Sequence, residues 1–276
     1  MESYTVAGFK IIGKSVAGIG TSLIFPEMDF CFDVAQGASR HYMPINHFLV
    51  SHGHMDHAAG VPFIASQKSL NRLKEPVFYM PESMIEPLTS IMRLWMKIEN
   101  HEYPFRFVSI EADKDYPLKG EYFFRPFPTV HRIPSFGYTV FRRSRKLKAE
   151  FTGASQDEII GLRKKGTDIH DVSEVPLLSF TGDTKIEFLE SRPWVLQSKV
   201  LFVETTYIDD KKTVEEARTW GHIHLDELIP NLSRLECEKI ALIHFSSRYT
   251  RAEIREILDK KIPSEYKDRV VAIIPE

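Results

Sequence analysis

The sequence predicts an α/β fold: two mixed β-sheets flanked by helices, in one domain spanning residues 1–276. Three observations predict it. Short β-rich runs bounded by turn residues dominate the first fifty positions. Strand and helix patterns alternate towards the C-terminus, and neither an internal repeat nor a Gly/Ser or Pro tract marks a linker. A hydrophobic fraction of 43% beside 27% charged residues is that of a soluble globular enzyme with a substantial core.

Each element follows from its pattern. "FKII" (9–12), "TSLIF" (21–25), "FCFDV" (30–34) and "HFLVS" (47–51) read as strands. Residues 58–74 have helical spacing, with Gly60 and Pro62 confined to the first turn. "PVFYM" is a strand, and 81–100 is a helix starting near Pro81 or Glu82. Its stripe of Met84, Leu88, Ile91, Leu94, Trp95 and Ile98 reads as core packing. "FRFVSI", "EYFFRPF" and "FGYTVF" are strands; a charged insertion, 142–176, then holds one clear helical piece, "SQDEIIGLRKK". The remainder alternates: strands "PLLSFTGD" and "KVLFVETT", helix "LDELIPNLSRLE", strand "KIALIHFSS", helix "TRAEIREILDKK" and a final strand "RVVAIIP".

Charge and cysteine usage exclude several functions. A net charge of −2 gives no global field towards nucleic acid or membrane, so anion binding must be local. The two cysteines, Cys31 and Cys237, lack paired spacing, which excludes a cysteine-based zinc site and a disulfide framework. The start lacks a signal-peptide pattern and no apolar run reaches the ~18 residues of a membrane span, so a cytoplasmic enzyme with no membrane partner is expected.

The chemistry is concentrated in "FLVSHGHMDHAAG" (48–60), which holds His52, His54, Asp56 and His57. The motif follows an apolar strand, in a loop at its C-terminal edge, where mixed α/β folds carry function. Imidazole and carboxylate ligands suit zinc and related divalent ions rather than a hard cation in an all-oxygen cage. One residue between His52 and His54 lets both rings face one way. Asp56 and His57 are adjacent and more naturally point to different places, so two pairs aimed at two centres suggest two metals. Further ligands must come from later strand ends. His131, Asp183 and His244 share one setting, an apolar strand running into a lone polar residue. An aspartate bridging both ions would hold them about 3.5–4 Å apart.

These residues resemble the metallo-β-lactamase superfamily, and within it ribonuclease Z, the tRNA 3′-processing endonuclease. "HGHMDH" matches the superfamily signature, and His131, Asp183 and His244 fall in order where its later ligands fall. "FTGDT" (180–184), "FVETT" (202–206), "GHIHLDE" (221–227) and "IHFSSRY" (243–249) resemble ribonuclease Z segments, as does "FDVAQGASR" (32–40) before the signature. The resemblance implies an αββα sandwich, two zinc ions (with Mn2+ or Fe2+ as substitutes) and a homodimer. It implies that His52, His54 and His131 hold one ion, that Asp56, His57 and His244 hold the other, and that Asp183 is shared. Water between two such ions loses a proton near neutral pH, with Asp56 to orient it and accept that proton. The resemblance also makes His222, steered by Glu204, the acid for a departing ribose 3′-oxygen, with His224 a competitor.

Substrate contacts are expected at two places. Ser246, Ser247 and Arg248 follow His244 and suit a phosphate oxygen, the alternative being that Arg248 pairs with a surface carboxylate. The insertion occupies the position of the tRNA-gripping arm of ribonuclease Z, without its Gly-Pro pair. It clusters Arg142, Arg143, Arg145, Lys146 and Lys148, then Arg163, Lys164 and Lys165, as phosphate contacts or as a solvated face. Three function classes follow: a phosphodiesterase processing precursor tRNA at its 3′ end; a hydrolase of a small ester, thioester, lactone or cyclic nucleotide; and a binding module, which the intact ligand set disfavours.

Overall fold

The computed structural model of the protein describes residues 2–35 and 40–274. The chain opens with an antiparallel meander of β1 (Glu2–Val6), β2 (Phe9–Ala17) and β3 (Gly20–Phe25), to which β4 (Phe30–Phe32) adds antiparallel. β5 (His47–Leu49) then pairs parallel to β4. Two helices, α1 (Met55–Ala58) and α2 (Val61–Leu70), lead to β6 (Val77–Met80), and α3 (Glu82–Glu99) leads to β7 (Arg106–Ser109), both strands parallel to β5. Parallel neighbours need such crossovers, and the helices they supply cover the outer face of the sheet.

The second sheet starts with β8 (Tyr116–Pro117), β9 (Tyr122–Pro128) and β10 (Phe136–Leu147); α4 (Gln156–Lys164) intervenes before β11 (His170–Phe180). After α5 (Pro193–Leu196) comes β12 (Val200–Glu204), then α6 (Val214–Trp220) and α7 (Leu225–Leu228) before β13 (Lys239–Ile243). A short β14 (Phe245–Ser246), α8 (Arg251–Lys261) and β15 (Val270–Ala272) complete the chain. The order is β15-β13-β12-β11-β10-β9-β8, parallel from β11 to β15 and antiparallel elsewhere. β14 leaves this sheet and pairs with β2 of the first, tying the two together beside His244.

Between the sheets lies an aromatic core. Phe32 stacks on Phe180 with centroids 4.8 Å apart, and Phe25 meets Phe202 edge-on at 5.8 Å. Each such buried ring stabilises the fold by roughly 1.5–3 kcal/mol. Two outer cores, one under α1–α3 and one under α5–α8, complete the α, β, β, α layers. The expected two-sheet sandwich is therefore the observed one. β9, β11, β12 and β13 all run in one direction, so residues just past their C-terminal ends meet at a single edge.

Several expectations are corrected. The charged stretch 142–176 is not an irregular insertion: β10 and β11 continue as a twisted ribbon from Arg142↔Val175 to Leu147↔His170, with α4 beyond its tip. Solvated on both faces, that ribbon lacks the apolar alternation that marks a strand in sequence. β1, β8, α5 and α6 were not expected. α6 has a local signal, a capping box in which Thr213 caps the Glu216 N–H and Glu216 returns the bond. The α3 stripe packs as core only in its first half: Met84 and Leu88 join the outer core, but Leu94 is 62% and Ile98 70% exposed, with Ile91 and Trp95 about half exposed. Periodicity reports an apolar face without saying what covers it. Asp56 and His57 lie on α1 rather than in a loop, with His54 as its N-cap. Of the 32–40 segment, residues 36–39 lie outside the described residues. No helix among the described residues is long and apolar enough to cross a membrane.

Candidate metal centre

All seven expected ligands converge at the shared sheet edge. His52, His54, His131 and Asp183 present one ligand atom each to a common point; Asp56, His57 and His244 do the same beside it. Adjacent as they are, Asp56 and His57 converge rather than diverge, Oδ2 and Nε2 standing 3.7 Å apart, because α1 turns both towards His244. Asp183 faces both groups: Oδ2 lies 3.6 Å from His52 Nε2, while Oδ1 lies 3.3 Å from His57 Nε2 and 3.4 Å from His244 Nε2.

The backbone prepares these positions. β5 ends at Leu49, and buried Asp33, just past parallel β4, accepts bonds from the Ser51 N–H (2.7 Å) and hydroxyl (2.8 Å), locking the start of the motif. Gly182 sits at φ +59, where a Cβ would meet Ser51 at 2.8 Å, so the turn before Asp183 needs glycine. His244 itself is held at φ +61, in the turn between β13 and β14. Such strain in a non-glycine residue persists only where its surroundings over-determine it.

Hydrogen bonds decide which nitrogen each imidazole offers. Ser51 gives its proton to Asp33, so its oxygen accepts from His52 Nδ1–H and leaves His52 Nε2 free. His57 Nδ1 donates to Asp33 at 2.7 Å, and His131 Nδ1 to the Gly221 carbonyl at 2.9 Å. Thr206 donates to Glu204 and thereby accepts from His244 Nδ1–H at 3.0 Å. Four rings therefore turn Nε2 towards the centre, and His54 presents Nδ1, 3.0 Å from His52 Nε2 and 3.3 Å from His131 Nε2. Partners that fix tautomer and orientation in this way are characteristic of metal-ligating histidines.

Electrostatics fit a divalent cation. Burial pulls His52, His54 and His131 below the ordinary imidazole range, keeping them in the neutral form that ligates. Burial works to raise Asp183 and Asp56, yet the surrounding histidines hold both well below the usual carboxylate range. Burial lowers His57 too, but Asp183 and Asp33 outweigh it and push it up. Asp183 Oδ1 is buried with no hydrogen-bond donor, an orphan that a cation would satisfy.

Beside the ligands, His222 Nδ1 lies 3.0 Å from Glu204 Oε1. Burial opposes the charged ring, but Glu204 prevails and holds His222 up at about 9. Glu204 is itself fixed by the backbone N–H groups of Thr184, Thr206 and Ile223. His224 does not share this place. It caps α7, accepting from the Asp226 N–H, and its Nε2 bonds the Asp209 carbonyl. Alternation on a strand would have aimed both rings one way, but His222 lies in the turn after α6 and His224 is the N-cap of α7.

Among the expected substrate contacts, Arg248 is exposed and forms no ion pair among the described residues, and Ser246 lies beside it in β14. Arg142 and Lys146 project from the ribbon, likewise without ion pairs among the described residues. Arg143 is corrected: it is spent on Asp115 (2.6 Å) and Glu174 (2.7 Å) and lies over the Phe123 ring. Asp33, Gly18 and Thr206 were not singled out as site residues. Asp33 carried the same signal as Asp183, a lone carboxylate ending an apolar strand. Gly18, whose N–H donates to Asp56 Oδ2 at 2.6 Å, gave none.

A model of the beta-lactamase superfamily domain matches residues 28–245. Over 275 residues the chain is 35% identical to a tRNase Z of Arabidopsis thaliana, covering 99% of this chain and 97% of that one. The chain belongs to the tRNase Z family. A chloroplastic tRNase Z of the same plant is 30% identical over 99% of this chain and 76% of its own length. The crystal structure of the short form of human tRNase Z superposes with a TM-score of 0.59 at 19% identity, covering 87% of this chain and 92% of that one. That last likeness is one of fold. In this tRNase Z family member the resemblance read from the motifs and the sandwich it implied are both borne out.

Proposed function

We propose that this protein is a dinuclear zinc-dependent phosphodiesterase that cleaves precursor tRNA at its 3′ end. The observation that carries it is the two-sided placement of Asp183 between two ligand groups, in a chain 35% identical throughout to a tRNase Z. His52, His54 and His131 would hold one ion and Asp56, His57 and His244 the other, with Asp183 between. Two ions held there would supply the chemistry of an activated water at neutral pH and of charge neutralisation on the phosphoryl oxygens. Asp56, aligned by the Gly18 N–H, orients the water and accepts its proton. His222, charged beside Glu204, gives its proton to the departing ribose 3′-oxygen. Arg248 and Ser246 face a phosphate oxygen. Arg142 and Lys146 on the ribbon, with Arg163–Lys165 ending α4, bind RNA phosphates farther out, making 142–176 a substrate arm on one hydrolase domain.

The test is cleavage of a precursor tRNA carrying a 3′ trailer. Activity is expected to cut at the trailer junction, to vanish after chelation and to return with Zn2+. Activity that survives chelation intact would refute the metal mechanism. Hydrolysis confined to small esters would favour the alternative substrate class.

The exposed apolar side chains of α2 and α3, among them Phe63, Leu70, Leu94 and Ile98, support a homodimer closed across this face. Leu94→Asp with Ile98→Asp is expected to yield monomers in sedimentation equilibrium, whereas an unchanged mass would place the interface elsewhere. Buried free thiols at Cys31 and Cys237 accord with a reducing cytoplasm.

A further inference from the structure

Two exposed side chains at the rim of the centre have no part in the chemistry described so far. Trp220 ends α6 and is 51% exposed, an unusual position for the largest apolar side chain. The guanidinium of Arg132 lies over its ring at 5.0 Å, and Arg132 forms no ion pair among the described residues. The pair is anchored to the reacting groups from both sides. Arg132 directly follows His131, and Trp220 stands two residues before His222; the rings of His131 and His222 are 5.4 Å apart.

The two loops are in contact. Gly221, at φ +83, accepts the His131 bond through its carbonyl, and a Cβ there would lie 2.7 Å from His131 Nδ1 and 3.3 Å from Arg132 Cγ. Neither loop can shift without moving a candidate ligand or the candidate acid. An aromatic face beside an unpaired guanidinium is the combination that holds a nucleotide, since every base has a stacking face and every phosphate an affinity for Arg.

We propose that Trp220 and Arg132 bind the nucleotide whose ribose carries the departing 3′-oxygen, its base stacked on the Trp220–Arg132 pair and its phosphate drawn by Arg132. The assignment to the leaving side follows from His222, because the group proposed to protonate the leaving oxygen lies two residues after Trp220. It rests on the RNA-cleaving reading above. A stack of this kind tolerates any base, so it supplies grip and alignment rather than sequence choice.

The test compares Trp220→Ala, Trp220→Phe and Arg132→Ala on three substrates: a precursor tRNA, the same RNA with an abasic nucleotide 5′ to the cut, and an aryl phosphodiester with no base. Trp220→Ala is expected to raise KM for the intact RNA about tenfold, with Trp220→Phe close to wild type and Arg132→Ala between. On the abasic RNA the two Trp220 variants should match wild type within about twofold while Arg132→Ala keeps a loss through the phosphate, and on the aryl diester all three should match wild type within about twofold. An equal loss on all three substrates would make the pair structural and overturn the proposal. Wild-type behaviour of Trp220→Ala on intact RNA would overturn it while leaving RNA cleavage standing. Hydrolysis of the aryl diester without any RNA cleavage by the wild type would instead remove the RNA reading, and this proposal with it.

Discussion

Asp183→Asn is expected to slow precursor cleavage by about 10³-fold or more and to lower the bound metal content in parallel. The carboxylate addresses both ligand groups from opposite oxygens, and its Oδ1 is buried with no donor to satisfy it. An amide keeps the size but places an N–H₂ where a cation should stand and removes a buried negative charge. Loss of several kcal/mol of charge stabilisation corresponds to a rate loss of that size. Asp33→Asn offers an informative contrast. Asp33 reaches His57 at 2.7 Å but contributes to neither ligand group. Its replacement should cost about 10–100-fold, the range for a group that orients a ligand. Elemental analysis of purified variants beside their rates checks both, and full activity in Asp183→Asn would contradict the two-ion arrangement.

His222→Ala is expected to separate substrates by their leaving groups. With RNA the departing 3′-oxygen is strongly basic and needs a proton, so the rate should fall about 10²–10⁴-fold. With an aryl phosphodiester the phenolate leaves unaided, and the loss should stay below about tenfold. Glu204 holds His222 Nδ1 at 3.0 Å and also accepts three backbone N–H groups, so Glu204→Gln should reproduce the pattern with an added loss of stability. Equal losses on both substrates would assign His222 to metal binding instead, a role its nearness to Asp183 and His244 makes the natural competitor. His224→Ala should lower thermal stability while leaving the leaving-group preference unchanged, since that ring caps α7.

Much of the architecture was legible because its signals are local. The strands around Phe30 and His47, the α3 helix and the capping box of α8 are written in consecutive residues. The β10–β11 ribbon was not, because a strand solvated on both faces carries no alternation, and its pairing is imposed by the buried half of the same hairpin. The α3 stripe was misread for a related reason: an apolar face predicts burial but not the molecule that supplies it. Four of the candidate metal ligands were legible as the dense His/Asp motif that follows an apolar strand, and the other three as lone polar residues at the ends of later apolar strands. Arg143 and His224 were not separable from their neighbours, since their partners Glu174 and Asp209 lie 31 and 15 residues away in the chain.

By itself the sequence determined the types and order of the candidate ligands and the apolar strands they follow, because apolar runs and the polar residues after them are properties of short segments. Only the tertiary structure decided which atom each ligand offers. Ser51 and Asp33 set His52 and His57, Gly221 sets His131, and Thr206 sets His244. A histidine's tautomer depends on the hydrogen-bond partner of its other nitrogen, and three of these partners, Asp33, Gly221 and Thr206, are brought from distant parts of the chain by strand pairing and loop packing at the end of each sheet.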